Sequence, residues 1–328
     1  MPLSGLSKFV SHPLLEHTII QDLLYVSASL LHTGRRFKTG ETTMELDYVL
    51  YEQVDEVVTV TINRPDVMNV ISRKVYEELD AAFARAEEDD GVKVIIVTGS
   101  GPNFGAGHDI GTPAMRDELD EYPRDVDAMQ RLQSMDRGVY WRYHDRWRNL
   151  GKPTIAMIRG YCIMGSWMLA SVCDLAVAAE DAKFADRSVR WGGANHEYPT
   201  QFWELGIKKA KEFMWTGDFV TAEEAHRLGM VNHVVPNDKL EEATSWLARR
   251  IALNSLYALK LSKMSINQAA DIMGQSAAVR ASGNFWLIGA SAREPSAANK
   301  TANLDLNDRV DWSKNRNSRF DDMEERPW

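Results

Sequence analysis

Two glycine-bearing turns carry the groups best suited to hold negative charge: Phe104-Gly-Ala-Gly-His-Asp-Ile110 and Arg159-Gly-Tyr-Cys-Ile-Met-Gly165. Each follows an apolar run that reads as a buried strand, and the second leads into an apolar segment that reads as a helix. Amides at the start of a helix lack an intrahelical acceptor and sit at the positive end of the aligned peptide dipoles. Two such amides converging on one point would stabilise an oxygen that gains charge during a reaction. The same residues also suit two tight strand-to-helix turns with no chemistry at all, and the motifs alone leave both readings open.

Other chemistries fail on residue identity. Gly99, Gly101, Gly105 and Gly107 follow a strand, but a dinucleotide fingerprint needs glycine where Phe104 stands, and Pro102 interrupts the turn. Ser166 has Met164 and Met168 where a nucleophile elbow needs glycines. The eight histidines are scattered without ligand spacing, so no metal site is expected. Lys208, Lys209 and Lys211 read as one solvated helix face.

The elements that must position the two turns alternate between strand and helix. Glu56–Ile62 is β-rich, and Asn63-Arg64-Pro65 closes it because proline removes a donor and restricts the residue before it. Ser72 is a candidate N-cap for a helix over Arg73–Glu88, where Val75, Leu79, Ala82, Phe83 and Ala86 recur at helical spacing. Further strands are expected over Lys93–Thr98, Thr154–Ile158 and Asp174–Ala179, with Gly160–Cys173 as a turn entering a buried helix. Residues 113–149 read as helical and charged, 185–200 as a loop, and 201–215, 221–228 and 238–290 as helical. This alternation predicts an α/β fold. Four regions follow: residues 1–43, an extension or the stretch before a true start at Met44; a core over 44–236; a helical region over 237–294; and a polar tail over 295–328.

Composition bounds the partners. With 38 Lys and Arg against 47 Asp and Glu among 328 residues, the net charge is −9, which argues against nucleic acid. The longest uncharged stretches, Gly160–Cys173 and Val94–His108, are shorter than the roughly 18–20 residues of a membrane span. The start lacks a secretory pattern, and Cys162 and Cys173 lie in an apolar stretch, so a cytoplasmic protein with two buried thiols is expected.

The ordered series Asn63-Arg-Pro, Phe104-x-x-Gly-x-Asp-Ile110, Lys152-Pro-Thr-Ile-Ala, Arg159-Gly-Tyr, Cys173-Asp-Leu-Ala and Thr216-Gly-Asp-x-x-Thr-Ala-Glu-Glu-Ala-x-x-Leu-Gly-Met-Val-Asn232 resembles the crotonase (enoyl-CoA hydratase/isomerase) superfamily over residues 50–270. The resemblance implies a spiral of ββα units with a helical C-terminal trimerisation region. It also implies an acyl-CoA thioester substrate, no tightly bound cofactor, and assembly as a homotrimer or hexamer. By carry-over, the backbone N–H groups of His108 and Gly165 would hold the thioester oxygen, and Asn69, Ala106 and Asp109 would contact CoA.

The chain departs from the hydratase pattern where two glutamates add water: Met168 and Ser188 occupy those positions. A thioether cannot transfer protons, and a lone hydroxyl is a poor general base. Relatives with other chemistry place an acid at position 196. Here that residue is His196, followed by Glu197, and an imidazole titrates where proton shuttling at neutral pH needs it. His144, Arg187, Met168, Ser188 and Trp191 are candidate walls of the acyl pocket; Asp109 also suits a purely local role in its turn. The expected activity is of the enoyl-CoA hydratase/isomerase type with a non-standard acid/base. The alternatives are C–C bond or thioester cleavage of an oxo-acyl-CoA, and a non-catalytic CoA-binding paralogue.

Overall fold

The computed structural model describes residues 46–112, 140–191 and 198–291, together with Ser318. The extension over residues 1–43, residues 113–139 of the expected helical stretch, and the tail beyond 295 apart from Ser318 lie outside the described residues.

Strands β1 (Val49–Val54) and β2 (Val57–Ile62) form an antiparallel hairpin, with Asp55 in the left-handed region at the tight turn. β2 alternates, burying Val58, Val60 and Ile62, so one face of it meets the core. Helix α1 (Arg73–Glu88) starts where Ser72 Oγ accepts from the Val75 amide at 3.4 Å, and it buries Val75, Tyr76, Leu79, Ala82, Phe83 and Ala86. β3 (Val94–Gly99) and β4 (Thr154–Ile158) are buried along their whole length, as expected of parallel strands covered on both faces. Together with β6 (Leu175–Ala179) and β9 (His233–Val235) they make a six-stranded sheet ordered β1-β2-β3-β4-β6-β9, parallel from β2 onward.

A second, three-stranded sheet holds β5 (Tyr161–Ile163), β7 (Lys183–Ala185) and β8 (Val220–Thr221) in the order β5-β7-β8. Gly160–Cys173 is therefore more than a turn entering a helix. It contains β5 before α3 (Gly165–Ser171), a strand too short to show a period in the sequence. Among the described residues, α2 spans Arg142–Arg148, α4 Gln201–Thr216 with a break at Gly206, and α5 Ala222–Leu228. The helical region over 237–294 resolves into α6 (Leu240–Ala252), α7 (Leu256–Ile272) and α8 (Gln275–Ser291). α6 belongs with the sheet: Leu240, Ala248 and Ala252 pack on Val94, Ile96, Ile155, Met157, Val177 and Ala179. α7 and α8 instead present Tyr257, Met264, Ile266, Ile272 and Phe285 to solvent. Among the described residues, no helix is long and apolar enough to cross a membrane.

Both thiols are free; Cys162 is buried in the core and Cys173 is only half-buried. Burial pushes both up, Cys173 to about 12, so neither is a ready nucleophile. Lys152 has a structural task. It is fully buried, and its Nζ donates to the carbonyls of Ala86 and Asp89, both at 2.6 Å, closing the end of α1. Its own carbonyl accepts from Lys263 Nζ at 3.0 Å, which joins α7 to the start of β4. Replacing Lys152 by Met leaves both helix-end carbonyls without a charged donor and is expected to cost about 2–3 kcal/mol in urea unfolding. A shift of the midpoint too small to measure would show that the ammonium does not fasten α1.

Candidate active site

The first glycine turn is stitched on two sides by its own backbone. On one side, Phe104 N donates to Arg159 O and Gly105 N to Tyr161 O, both at 2.8 Å, while Ile163 N donates to Gly105 O at 3.2 Å. On the other, Ala106 N donates to Met68 O at 2.9 Å, Ile71 N to Gly107 O at 2.8 Å, and Asp109 N to Ile71 O at 2.9 Å. Ser166, on the first turn of α3, accepts from Gly107 N through its Oγ at 3.0 Å. The 104–109 segment thus lies between residues 68–71 and β5, pinned to the start of α3.

That pinning brings the two turns into contact. A Cβ on Gly107, whose φ is +96°, would stand 3.3 Å from the Gly165 amide nitrogen and 3.0 Å from Met164 Cβ. A Cβ on Gly165 would stand between 2.5 and 3.0 Å from three atoms of the His108 imidazole, so that ring lies against the Gly165 α-carbon. Gly165 is the first residue of α3, and its N–H therefore has no acceptor within the helix. Met164 immediately before it has φ +49° and ψ −120°, a conformation that strains a residue with a side chain. It is held there by its amide donating to Ala185 O and its carbonyl accepting from Met168 N, both at 2.9 Å.

Beneath the turns the polar side chains are committed to structure. Asn69, also at positive φ, accepts from Arg64 N through Oδ1 at 2.9 Å and donates through Nδ2 to Ser100 O and Asn103 O, both at 2.8 Å. Asp109 is buried against Arg64 at 3.0 Å and accepts from the amides of Gly111 and Thr112. This is the local turn role that the sequence allowed for it. Ala106 is half-buried beside them.

The rim is mixed. Met168 is fully buried on α3. Ser188 donates from both its amide and its hydroxyl to Asp186 Oδ1, at 2.9 and 2.5 Å, and Gln201 Nε2 donates to Asp186 Oδ2 at 2.7 Å. All three side chains are buried. Pairing of Ile163 with Ala185 sets this network beside the start of α3. The Arg187 guanidinium lies over the Phe219 ring, and Arg190 pairs with Asp218. His144 is fully buried among Tyr76, Trp147 and Tyr198, and its Nδ1 donates to Tyr140 O at 2.6 Å. His196 and Glu197 lie outside the described residues, as does the side chain of Trp191.

One titratable group escaped the sequence reading. Glu204, on the first turn of α4, lines a cavity of about 170 Å³ with Trp167, Ser171, Cys173 and Asn232. Burial pushes its carboxyl up to about 8, against the opposing pull of hydrogen bonds from Thr200 and Trp167. No motif marks it; only the fold covers it. A larger cavity of about 550 Å³, lined by His226, His233, Trp246 and Arg249, shares no residue with the two turns.

The chain is similar to known proteins in sequence and in fold. The family profile described as enoyl-CoA hydratase/isomerase covers residues 52–286. EchA13 of Mycobacterium tuberculosis, provisionally named an enoyl-CoA hydratase, is 41% identical over 248 residues, which is 72% of this chain and 78% of that protein. The crystal structure of a probable enoyl-CoA hydratase from Mycobacterium smegmatis is 39% identical with a TM-score of 0.69, covering 74% of this chain and 94% of that one. An enoyl-CoA hydratase/isomerase from Xanthobacter autotrophicus Py2 is 32% identical with a TM-score of 0.72, covering 83% and 99%.

Glu204 carries a pH signature. Its folded value of about 8 lies above the ordinary 4.5, so between those values the folded chain binds a proton that the unfolded chain does not, and this contribution to stability is lost as pH rises through that window. Glu204→Gln, which cannot ionise, is expected to gain about 2 kcal/mol or more on wild type between pH 5 and pH 9 in chemical unfolding. A difference that stays constant across that range would mean the carboxylate is already charged at neutral pH.

Proposed function

The chain belongs to the enoyl-CoA hydratase/isomerase family of enzymes, and on that premise we propose that it polarises the thioester carbonyl of an acyl-CoA between the backbone N–H groups of His108 and Gly165. The observation that carries this reading is the contact between Gly107–His108 and Gly165, since only turns this close could share one oxygen. Removing or adding a group beside a thioester moves negative charge onto its oxygen, and donors already in place stabilise that enolate without reorganising. Two preorganised amides are worth about 3–4 kcal/mol each in such sites.

Acid/base work falls to His196, helped by Glu197, because Met168 has no transferable proton and the Ser188 hydroxyl is already engaged with Asp186. Met168, Ser188, Arg187, Trp191 and His144 shape the acyl pocket. Asn69 and Asp109 serve CoA by fixing the backbone around Ala106, their own side chains being spent inward. The loss of both glutamate positions also favours a second reading, cleavage of a C–C or thioester bond in an oxo-acyl-CoA. A CoA-binding protein without turnover is what remains if neither reaction occurs. The exposed apolar residues of α7 and α8 support assembly as a homotrimer or hexamer, and two unpaired thiols suit the reducing cytoplasm.

Two measurements check this reading. With crotonyl-CoA and longer enoyl-CoAs, loss of the conjugated thioester absorbance reports hydration and free CoA reports hydrolysis. His196→Ala is expected to lower whichever rate is seen by about 100-fold or more, and an unchanged rate would remove His196 from the mechanism. Gly165→Ala places a methyl group on the His108 ring and is expected to abolish turnover while the chain still folds. Full activity in that variant would show that the two turns do not act together.

A further inference from the structure

We propose that the trough between β9 and α6 is a second binding site and that it takes a fatty carboxylate, with the hydrocarbon chain on an aliphatic floor and the charged head at a cationic rim. The trough shares no residue with the two glycine turns. The inference therefore stands apart from the acyl-CoA reading.

Strand alternation builds the floor. β9 runs along the edge of the six-stranded sheet, with His233 opposite Val177 and Val235 opposite Ala179 on β6. Successive side chains of a strand point to opposite faces. Val234 accordingly joins the core that holds α1, whereas Val235 packs with Val177 beside α6. His233, two residues before Val235, is set on that same α6 face. The helix turns Leu240, Thr244 and Ala248 fully inward and leaves Ala243, Trp246 and Leu247 along the trough, as positions three and four apart share one side of a helix. Arg250 lies over the Trp246 ring, 5.6 Å from its centroid, and steadies it as a wall. The cavity of about 550 Å³ has the size of a small-molecule site.

The rim carries more positive charge than it spends. Among the described residues Glu242 is the one acid lining the trough, and Lys239 engages it at 2.9 Å. His226 donates through Nδ1 to Val231 O at 3.0 Å, which leaves Nε2 as the other polar atom of its ring. Among the described residues no carboxylate pairs with Arg249 or His233, and both are exposed. On a chain of net charge −9, an unpaired guanidinium beside two imidazoles is a local attractor for an anion.

The floor decides the rest of the ligand. Val177, Val235, Ala243 and Leu247 bring no side-chain donor or acceptor. A nucleotide base, a sugar or a peptide laid on them would lose its hydrogen bonds to water and find no replacement. A hydrocarbon gains by leaving water there. One carboxylate on a long apolar body satisfies both the rim and the floor.

The test titrates the full-length chain with dodecanoate in a calorimeter. A saturable one-to-one complex is expected, unchanged by an excess of butyryl-CoA. Dodecanol, with the same chain and no charge, is expected to bind about tenfold or more weaker. Arg249→Glu is expected to weaken dodecanoate by about tenfold or more, and Ala243→Phe, which fills the trough, to abolish the complex. Circular dichroism checks that both variants fold, and the exposed Arg249 keeps the proposal testable should Ala243→Phe disturb α6. Absence of saturable binding, dodecanol binding as tightly as dodecanoate, or wild-type affinity in either folded variant would overturn the proposal. Displacement by butyryl-CoA would move the carboxylate to the glycine turns and overturn this site while leaving the acyl-CoA reading intact.

Discussion

Gly107 and Gly165 let the two turns close against each other: a Cβ on Gly107 would stand 3.0 Å from Ile163 O and Met164 Cβ, and one on Gly165 would run into the His108 ring. A Cβ on either glycine would press on a backbone nitrogen, a carbonyl or the His108 ring. Cβ-free residues are the usual means of such an approach, because any other side chain forces the backbones apart. The approach is bought with local strain, carried by Met164 at positive φ between β5 and α3. Strain of this kind persists only where the surroundings over-determine it, and here Ala185 and Met168 hold the peptide units on both sides of Met164.

The polar residues around the turns show how the closure is maintained. Arg64 and Asp109 form a buried ion pair, and Arg64 also donates to Val70 O. A buried pair of this kind contributes little net stability, because taking both charges out of water costs about as much as their attraction returns. Its value lies in register: a shifted loop would leave a buried guanidinium or carboxylate alone. Asn69 works in the same way without charge, using three hydrogen bonds to tie residues 64, 100 and 103 together. The Asp186 carboxylate does so for Ser188 and Gln201.

The sequence was most informative where one residue type allows one local solution. Ser72 before an amphipathic run marked the start of α1, and Pro65 after Ile62 marked the end of β2, because caps and prolines act within a few residues. The ordered motifs led to the family, and in the structure the two turns are in contact. β5, β7, β8 and β9 were not legible, since two or three residues carry no period and their pairing partners lie far along the chain. Glu204 was not legible either: a glutamate in a helix that also carries Lys208 and Lys209 reads as solvated, and its raised proton affinity comes from burial, which outweighs the opposing hydrogen bonds of Thr200 and Trp167. Lys152 showed the converse, a residue whose motif pointed to the family while its ammonium serves only to close a helix.

Ser166 gives the site a further property. Its hydroxyl accepts from Gly107 while its own backbone begins α3, and Gly105 must lack a Cβ to let it in. Neither turn can therefore adopt its final shape before the other arrives. Segments linked in this way open as one cooperative unit, so the amides of Gly105, Ala106, Gly107 and Ile163 should become accessible to solvent in a single event. The pocket would then exist either whole or not at all, with no half-assembled state in which one turn waits for a ligand to summon its partner.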